Sequence, residues 1–338
     1  MKKLKVGVVG LGFMGKMHFD VYSNNPLSEV KFICDTDKKK LAGDWSAIGG
    51  NIKGAGGKKL DLSKIRMTAD FAELLKSDLD IIDVCLPTYL HSKFAVAALK
   101  AGKNCFCEKP VGIDIADAKK IASAAAKARR TLQVGQCIRF WPEYAALKEL
   151  VARRIYGRVK AATFTRLSPT PTWSWSNWLM DAKKSGAAAL DLHIHDTDFV
   201  NYVFGMPNAV TSRGSSLMTK GVDHIVTNYE YGNGAVIMAE GGWMGKPAFP
   251  FRMTFQAHFE KASVEFSHNG FKAYLPGGKV VDLPRKAGDG YSLELDYFLK
   301  CIAAGKKPQV VTPADAVEAV EICMAEIKSV KTGRTISL

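Results

Sequence analysis

Three stretches of this chain carry residue types whose spacing could do chemistry together. The first is Gly10-Leu11-Gly12-Phe13-Met14-Gly15, directly after the apolar run Lys5–Val9. A glycine at the first place permits a tight turn, and one at the second lets the backbone approach a pyrophosphate. A glycine at the third lets a following helix pack against the preceding strand. The pyrophosphate then rests on the free N–H groups of that helix. The next apolar run, Val30–Asp35, ends in acid. That is the place for a carboxylate that accepts both ribose hydroxyls of an adenosine. Asp35 repels the extra phosphate of NADP, so NAD is expected, with NADP as the alternative because Lys38, Lys39 and Lys40 could offset the repulsion. The plainer reading of those lysines is the exposed first turn of a helix.

The second stretch is Glu108-Lys109-Pro110, after the apolar run Asn104–Cys107. In a doubly wound sheet the C-terminal strand ends face the ligand crevice, which would bring Lys109 beside the nicotinamide. Pro110 could be cis and aim the lysine. The third stretch runs from Gly186 through Asp191, His193, His195 and Asp196 into Phe199–Phe204. Read as one helix, it sets Asp191, His195, Asp198 and Tyr202 on a single polar face. A carboxylate one turn before a histidine orients the imidazole and stabilises its protonated form. Dehydrogenation of an alcohol needs a base, a hydride acceptor and a donor near the oxygen. The three stretches supply these groups. Each also has a plain reading: a tight turn without ligand, a solvated loop lysine, a helix with satisfied surface histidines.

The elements around these residues fall into two rhythms. Up to about residue 135, continuous apolar strands alternate with helices, which means a parallel sheet covered on both faces. Ile48–Lys59 looks like a Gly/Lys-rich surface insertion. After about residue 140, alternating segments such as Ala161–Leu167, Ile225–Tyr231 and Ala235–Glu240 are joined by hairpin turns such as Gly232-Asn233-Gly234. They predict an antiparallel sheet with one open face, and hence an oligomer. The expected division is 1–135 and 136–338.

Composition narrows the function further. The 338 residues are 47% hydrophobic, with a formal net charge of +14. The lysines are dispersed rather than gathered into a stripe interleaved with aromatics, which argues against a nucleic-acid partner. No apolar run reaches the roughly 20 residues that span a bilayer. The glycines at 7, 10, 12 and 15 break the apolar start, so it reads as a strand and not as a signal peptide. Seven cysteines, mostly in apolar stretches, suit a reducing compartment, the cytoplasm. No metal is expected, since His193 and His195 diverge on a helix.

In order and spacing these motifs resemble the Gfo/Idh/MocA oxidoreductases. The resemblance is carried by Gly10–Gly15, Leu86-Pro87-Thr88-Tyr89-Leu90-His91, Cys107-Glu108-Lys109-Pro110, Val134-Gly135-Gln136-Cys137-Ile138-Arg139-Phe140 and Asp191-x-x-x-His195-Asp196. It implies an N-terminal Rossmann domain followed by an α+β domain, whose large, mostly antiparallel open-faced sheet joins homodimers or homotetramers. It implies Lys109 at the substrate hydroxyl and nicotinamide, His195 as acid and base, and Asp191 assisting. Pro87, Thr88, His91, Glu108 and Gln136 would line the cofactor site together with Gly10, Gly12, Phe13, Met14, Gly15 and Asp35. Arg139, Trp173, Trp178 and His193 are the candidate substrate contacts. Trp173 and Trp178 either stack on a sugar ring or pin their own loop. His193, Ala187 and Ala188 stand where the family often has glycine, which obscures which sugar binds.

The leading expectation is an NAD(P)-dependent dehydrogenase or reductase acting on a sugar, cyclitol or nucleotide-sugar. One alternative is an NAD-dependent, redox-neutral glycosidase. Another, of a different class, is a non-catalytic dinucleotide-sensing protein.

Overall fold

The first strand, β1 (Leu4–Val9), feeds the glycine turn and then α1 (Phe13–Asn24), and the same strand–turn–helix unit recurs along the first third of the chain. This computed structural model describes residues 2–50 and 62–338. Next come β2 (Ser28–Cys34), α2 (Lys38–Leu41), β3 (Arg66–Thr68), α3 (Phe71–Lys76) and β4 (Ile81–Val84). They are followed by α4 (His91–Lys100), β5 (Asn104–Cys107), α5 (Ile115–Ala128) and β6 (Leu132–Val134). The strands form a six-stranded sheet in the order β3-β2-β1-β4-β5-β6, with parallel pairing throughout. Its central strands are buried on both faces because helices cover both; all four residues of β4, Asp83 among them, are buried. The strand order reverses between β1 and β4, the switch point at which such sheets take ligands. This is the expected Rossmann arrangement.

The second half continues with α6 (Pro142–Ala152), β7 (Val159–Pro169), α7 (Ala182–Ser185), α8 (Ala187–Asp191) and α9 (Ile194–Phe204). Six strands then run in succession: β8 (Ala209–Ser215), β9 (His224–Glu230), β10 (Val236–Gly245), β11 (Arg252–Phe259), β12 (Ser263–Ser267) and β13 (Gly270–Tyr274). After β14 (Val280–Asp282) come α10 (Gly290–Ala303), α11 (Pro313–Thr332) and β15 (Ile336–Ser337). Nine strands form one sheet in the order β14-β13-β12-β11-β7-β10-β9-β8-β15. All its pairs are antiparallel except β7 with β10. Alternate residues of β9 are buried and half-exposed, so one face packs inward under α8 and α9 and the other stays open, as the sequence rhythm predicted.

The chain forms two units: residues 1–136, 172–179 and 291–317, and residues 137–171, 180–290 and 318–338. The boundary expected at 135/136 therefore marks only the first crossing. α10 returns to the first unit because its Leu295, Phe298 and Leu299 complete a core with Val6, Tyr22, Trp45 and Phe106. The rings of Phe106 and Phe298 meet edge-on at 5.4 Å. Of the expected insertion Ile48–Lys59, residues 51–59 lie outside the described residues; Ile48 itself is buried in that core.

Candidate functional site

In the first unit each glycine of the turn has a distinct physical reason. Gly10 has φ +91°, and a Cβ there would stand 2.6 Å from the Cys85 carbonyl oxygen. A Cβ on Gly15 would fall 1.8 Å from the Gly10 carbonyl oxygen, so α1 reaches the strand only because that side chain is missing. Above Gly12 nothing lies within 4 Å, which leaves the backbone open to a close approach. No side chain caps α1, and its first turn carries no acid, so its N–H groups keep their pull on an anion. Asp35 braces this turn: Oδ2 accepts from the Leu11 N–H at 2.6 Å and Oδ1 from the Asp37 N–H at 2.8 Å. Lys40 reaches to 3.9 Å from the same carboxylate, while Lys38 and Lys39 sit in the first turn of α2, capped by Asp37.

The turns after β4 and β5 form the opposite wall of the switch point. Pro87 opens a short 3-10 turn over Thr88–Leu90. The Thr88 hydroxyl is buried with no protein partner, and neither polar atom of the buried Gln136 amide has one. Buried polar groups are normally satisfied. Two orphaned groups just past the C-terminal ends of β4 and β6, the strand ends at which such sheets take ligands, therefore fit a polar ligand such as a dinucleotide. His91 joins the two turns. Its Nδ1 lies 2.8 Å from the Pro110 carbonyl and its Nε2 2.7 Å from the Leu86 carbonyl, so both ring nitrogens tie one turn to the other. Burial pulls its pKa down, partly offset by those two carbonyls. The Lys109–Pro110 bond is cis. Lys109 is half-buried, and its backbone N–H donates to Glu108 Oε2 at 3.1 Å.

In the second unit the expected continuous helix is broken. α8 stops at Asp191 and α9 starts at Ile194, with the N–H groups of Leu192 and His193 both directed at the Ala188 carbonyl, at 3.0 and 2.8 Å. The single polar face through Asp191, His195, Asp198 and Tyr202 does not survive. The break seats His193 against the sheet, where a Cβ on Gly241 would lie 2.7 Å from its Nδ1. Its Nε2 is 3.6 Å from Glu326 of α11 and 3.5 Å from the Tyr229 hydroxyl. His193 is fully buried, which overturns its placement at a substrate mouth.

Arg139 is likewise corrected. It is 3% exposed and pairs with Asp198 of α9 through Nε and Nη2, at 2.8 and 2.7 Å. Arg166 of β7 grips Asp196 in the same way, at 2.7 and 3.0 Å. α9 is thus fixed by two arginine forks and the His193–Glu326 contact. From Ala187 through Asn201 only Asp191 and His195 reach the surface; every other residue is buried.

The tryptophans of the loop stay near the surface. Residues 172–179 belong to the first unit, where the Trp173 ring meets Phe13 edge-on at 5.9 Å. Trp173 is 38% and Trp175 54% exposed, and Trp178 is half-buried, so none is an anchor sunk in a core. The sequence reading missed His18, Asp83, Arg166 and Glu326. His18 gave a signal: it lies on the apolar side of α1, with Phe19 and Tyr22. The four histidine, aspartate, cysteine and glutamate side chains His18, Asp83, Cys85 and Glu108 cluster in the buried interior of the first unit.

Comparison with known proteins agrees with this layout. Residues 4–136 match the model of the oxidoreductase family with an NAD-binding Rossmann fold, and residues 144–265 match the Gfo/Idh/MocA C-terminal domain. An inositol 2-dehydrogenase of Rhizobium meliloti is 25% identical over 99% of this chain and 99% of its own length. The UDP-N-acetylglucosamine 3-dehydrogenase of Acidithiobacillus ferrooxidans is 24% identical over 90% of each. A solved levoglucosan dehydrogenase, in complex with NADH and levoglucosan, superposes with a TM-score of 0.84 over 99% of both chains at 22% identity. No helix among the described residues is long and apolar enough to cross a membrane. Matched by one family in both halves and in the right order, the chain belongs to the Gfo/Idh/MocA oxidoreductases and is an NAD-binding enzyme.

Proposed function

We propose that this enzyme oxidises or reduces a secondary alcohol of a cyclitol, sugar or nucleotide-sugar, with Lys109, Asp191 and His195 as its catalytic residues. The observation that carries the reading is the selective exposure of Asp191 and His195 on an otherwise buried and ionically fixed segment. A rigid support for two titratable groups that are partly exposed among buried neighbours is what positioned acid–base catalysis needs. The relatives named for inositol and for a nucleotide-sugar support the substrate class.

Gly10, Gly12 and Gly15, with the start of α1, would hold the pyrophosphate, Asp35 the adenosine ribose, and Thr88 and Gln136 the polar groups nearer the nicotinamide. The bound nicotinamide supplies the hydride acceptor. Lys109 places a positive charge at the substrate oxygen and lowers the cost of alkoxide character. His195 takes the hydroxyl proton at its imidazole during oxidation and returns it during reduction, and Asp191 favours the imidazolium. The seven buried thiols fit a reducing cytoplasm, and the open face of the nine-stranded sheet fits assembly into a homodimer or homotetramer.

The test is Lys109→Met. A screen of inositols, sugars and nucleotide-sugars, followed through the absorbance of reduced nicotinamide, identifies a substrate for the wild type. Lys109→Met then loses at least about a hundredfold in kcat, the usual scale for one electrostatic donor, while NAD affinity stays within about threefold. Unchanged turnover removes Lys109 from the mechanism. Product release without net NADH would favour the redox-neutral glycosidase.

A further inference from the structure

Beneath the turn that carries Lys109, the first unit encloses an unusual group of charges. Asp83 and His18 are fully buried, and Glu108 is 5% exposed. His18 Nδ1 lies 2.8 Å from Asp83 Oδ2, and its Nε2 lies 3.2 Å from Glu108 Oε1. The Cys85 thiol stands 3.2 Å from Nδ1. Glu294 of α10 brings another buried carboxylate within ligand distance of His18 and Glu108, and Tyr22 lies one turn along α1. Nδ1 is hydrogen-bonded to Asp83, whereas Nε2 meets Glu108 at ion-pair distance without hydrogen-bond geometry, so that second contact is coulombic and favours the charged ring while both acids are ionised.

We propose that His18 is the positioning residue of the Lys109 turn, an imidazolium clamped between Asp83 and Glu108 that fixes the Glu108 carboxylate and through it the backbone of Lys109. The second half of that link is direct. Glu108 Oε2 accepts the Lys109 N–H at 3.1 Å, and the Glu108 N–H donates to the Val84 carbonyl at 3.0 Å. A Cβ on Gly135 would come within 2.9 Å of Glu108 Oε1, so the neighbouring strand end is a glycine where the carboxylate passes. Burial works against charge on His18, yet its contacts with the Cys85 sulfur and the Asp83 carboxylate outweigh it and carry its pKa well above that of a free imidazole. Burial in turn pushes the Cys85 thiol up, so it stays protonated. The same residues could be read as a metal site. Oxygen and nitrogen ligands on a tetrahedral zinc stand roughly 3.4 Å apart, whereas His18 and Asp83 are at hydrogen-bond separation.

The proposal rests on the reading of Lys109 as catalytic, but its charge can be measured without that reading. In full-length protein labelled with 15N-histidine, one imidazole should remain doubly protonated well above the about 6.5 of a free histidine. That signal disappears in His18→Gln and moves to a lower pKa in Glu108→Gln, which identifies it even where His18→Gln folds poorly. Because the folded-state pKa is raised, the stability His18 gives is complete below about pH 6.5 and is lost as pH climbs through the folded value. In His18→Gln, kcat falls at least about tenfold while KM and NAD affinity stay within about threefold, and the loss is not additive with Glu108→Gln. A neutral His18, additive losses, or a lowered melting temperature with kcat per folded molecule unchanged overturns the proposal, as does a stoichiometric metal on these residues. If the imidazolium is found but Lys109→Met keeps full turnover, the fault lies with the catalytic assignment and not with the clamp.

Discussion

Arg139 and Asp198 are each buried to about the last hundredth of their side-chain surface, and their fork-to-carboxylate pairing leaves little room for any ligand. Breaking a buried pair strands one charge without water or partner, at about 3–5 kcal/mol. Asp198→Ala should therefore lower the unfolding free energy by that amount in denaturant titrations, and the double replacement Arg139→Met/Asp198→Leu should recover most of it. A double variant no more stable than the single one would mean that α9 needs the pair for its geometry. The sequence could not reveal this role, because the partners stand 59 positions apart and a guanidinium suits a protein carboxylate as well as a ligand. Gly10, Gly15 and Asp35 were legible for the opposite reason: their function lies in local backbone geometry, which the order of residues itself encodes.

Among the elements, α8 shows most clearly where pattern and structure part. Ala187, its first residue, has φ +58° and is fully buried, after Gly186 at φ +76°. A left-handed alanine costs about 1–2 kcal/mol, more than the 0.5–1 kcal/mol entropic cost of glycine. Ala187→Gly is expected to leave the denaturation midpoint unchanged or to raise stability by up to about 1 kcal/mol at constant m value. A clear loss would show that the buried methyl matters more than the backbone strain. The helical period of Ala187–Phe204 was readable, but the break at Leu192–His193 was not. It depends on Glu326 of α11 and Gly241 of β10, which the local sequence does not contain. β8 and β14 went unseen as well; β8 is held by pairing with β9, and β14 is a three-residue edge strand on β13.

For the molecule as a whole, the cofactor should act as a folding ligand of the first unit. At about 100 times its dissociation constant, NAD adds about 2.7 kcal/mol to stability and raises the melting temperature accordingly. NADP at equal concentration should raise it less, since Asp35 holds a negative charge beside the turn; equal shifts would mean that Lys40, at 3.9 Å, cancels that charge.

The return of α10 to the first unit also bears on synthesis. A nascent chain that has just emerged through β6 has all six strands of its parallel sheet but not Leu295, Phe298 and Leu299, so the core they share with Phe106 is incomplete and the Phe106 surface that Phe298 covers stays wet. In the other unit, β7 must wait for β10 and β11 to flank it, and β8 for β15. Neither half can mature as an early module on the ribosome. Chains cut short before α10 would present sticky apolar surface at once, so the burden on chaperones should fall late and on the whole polypeptide.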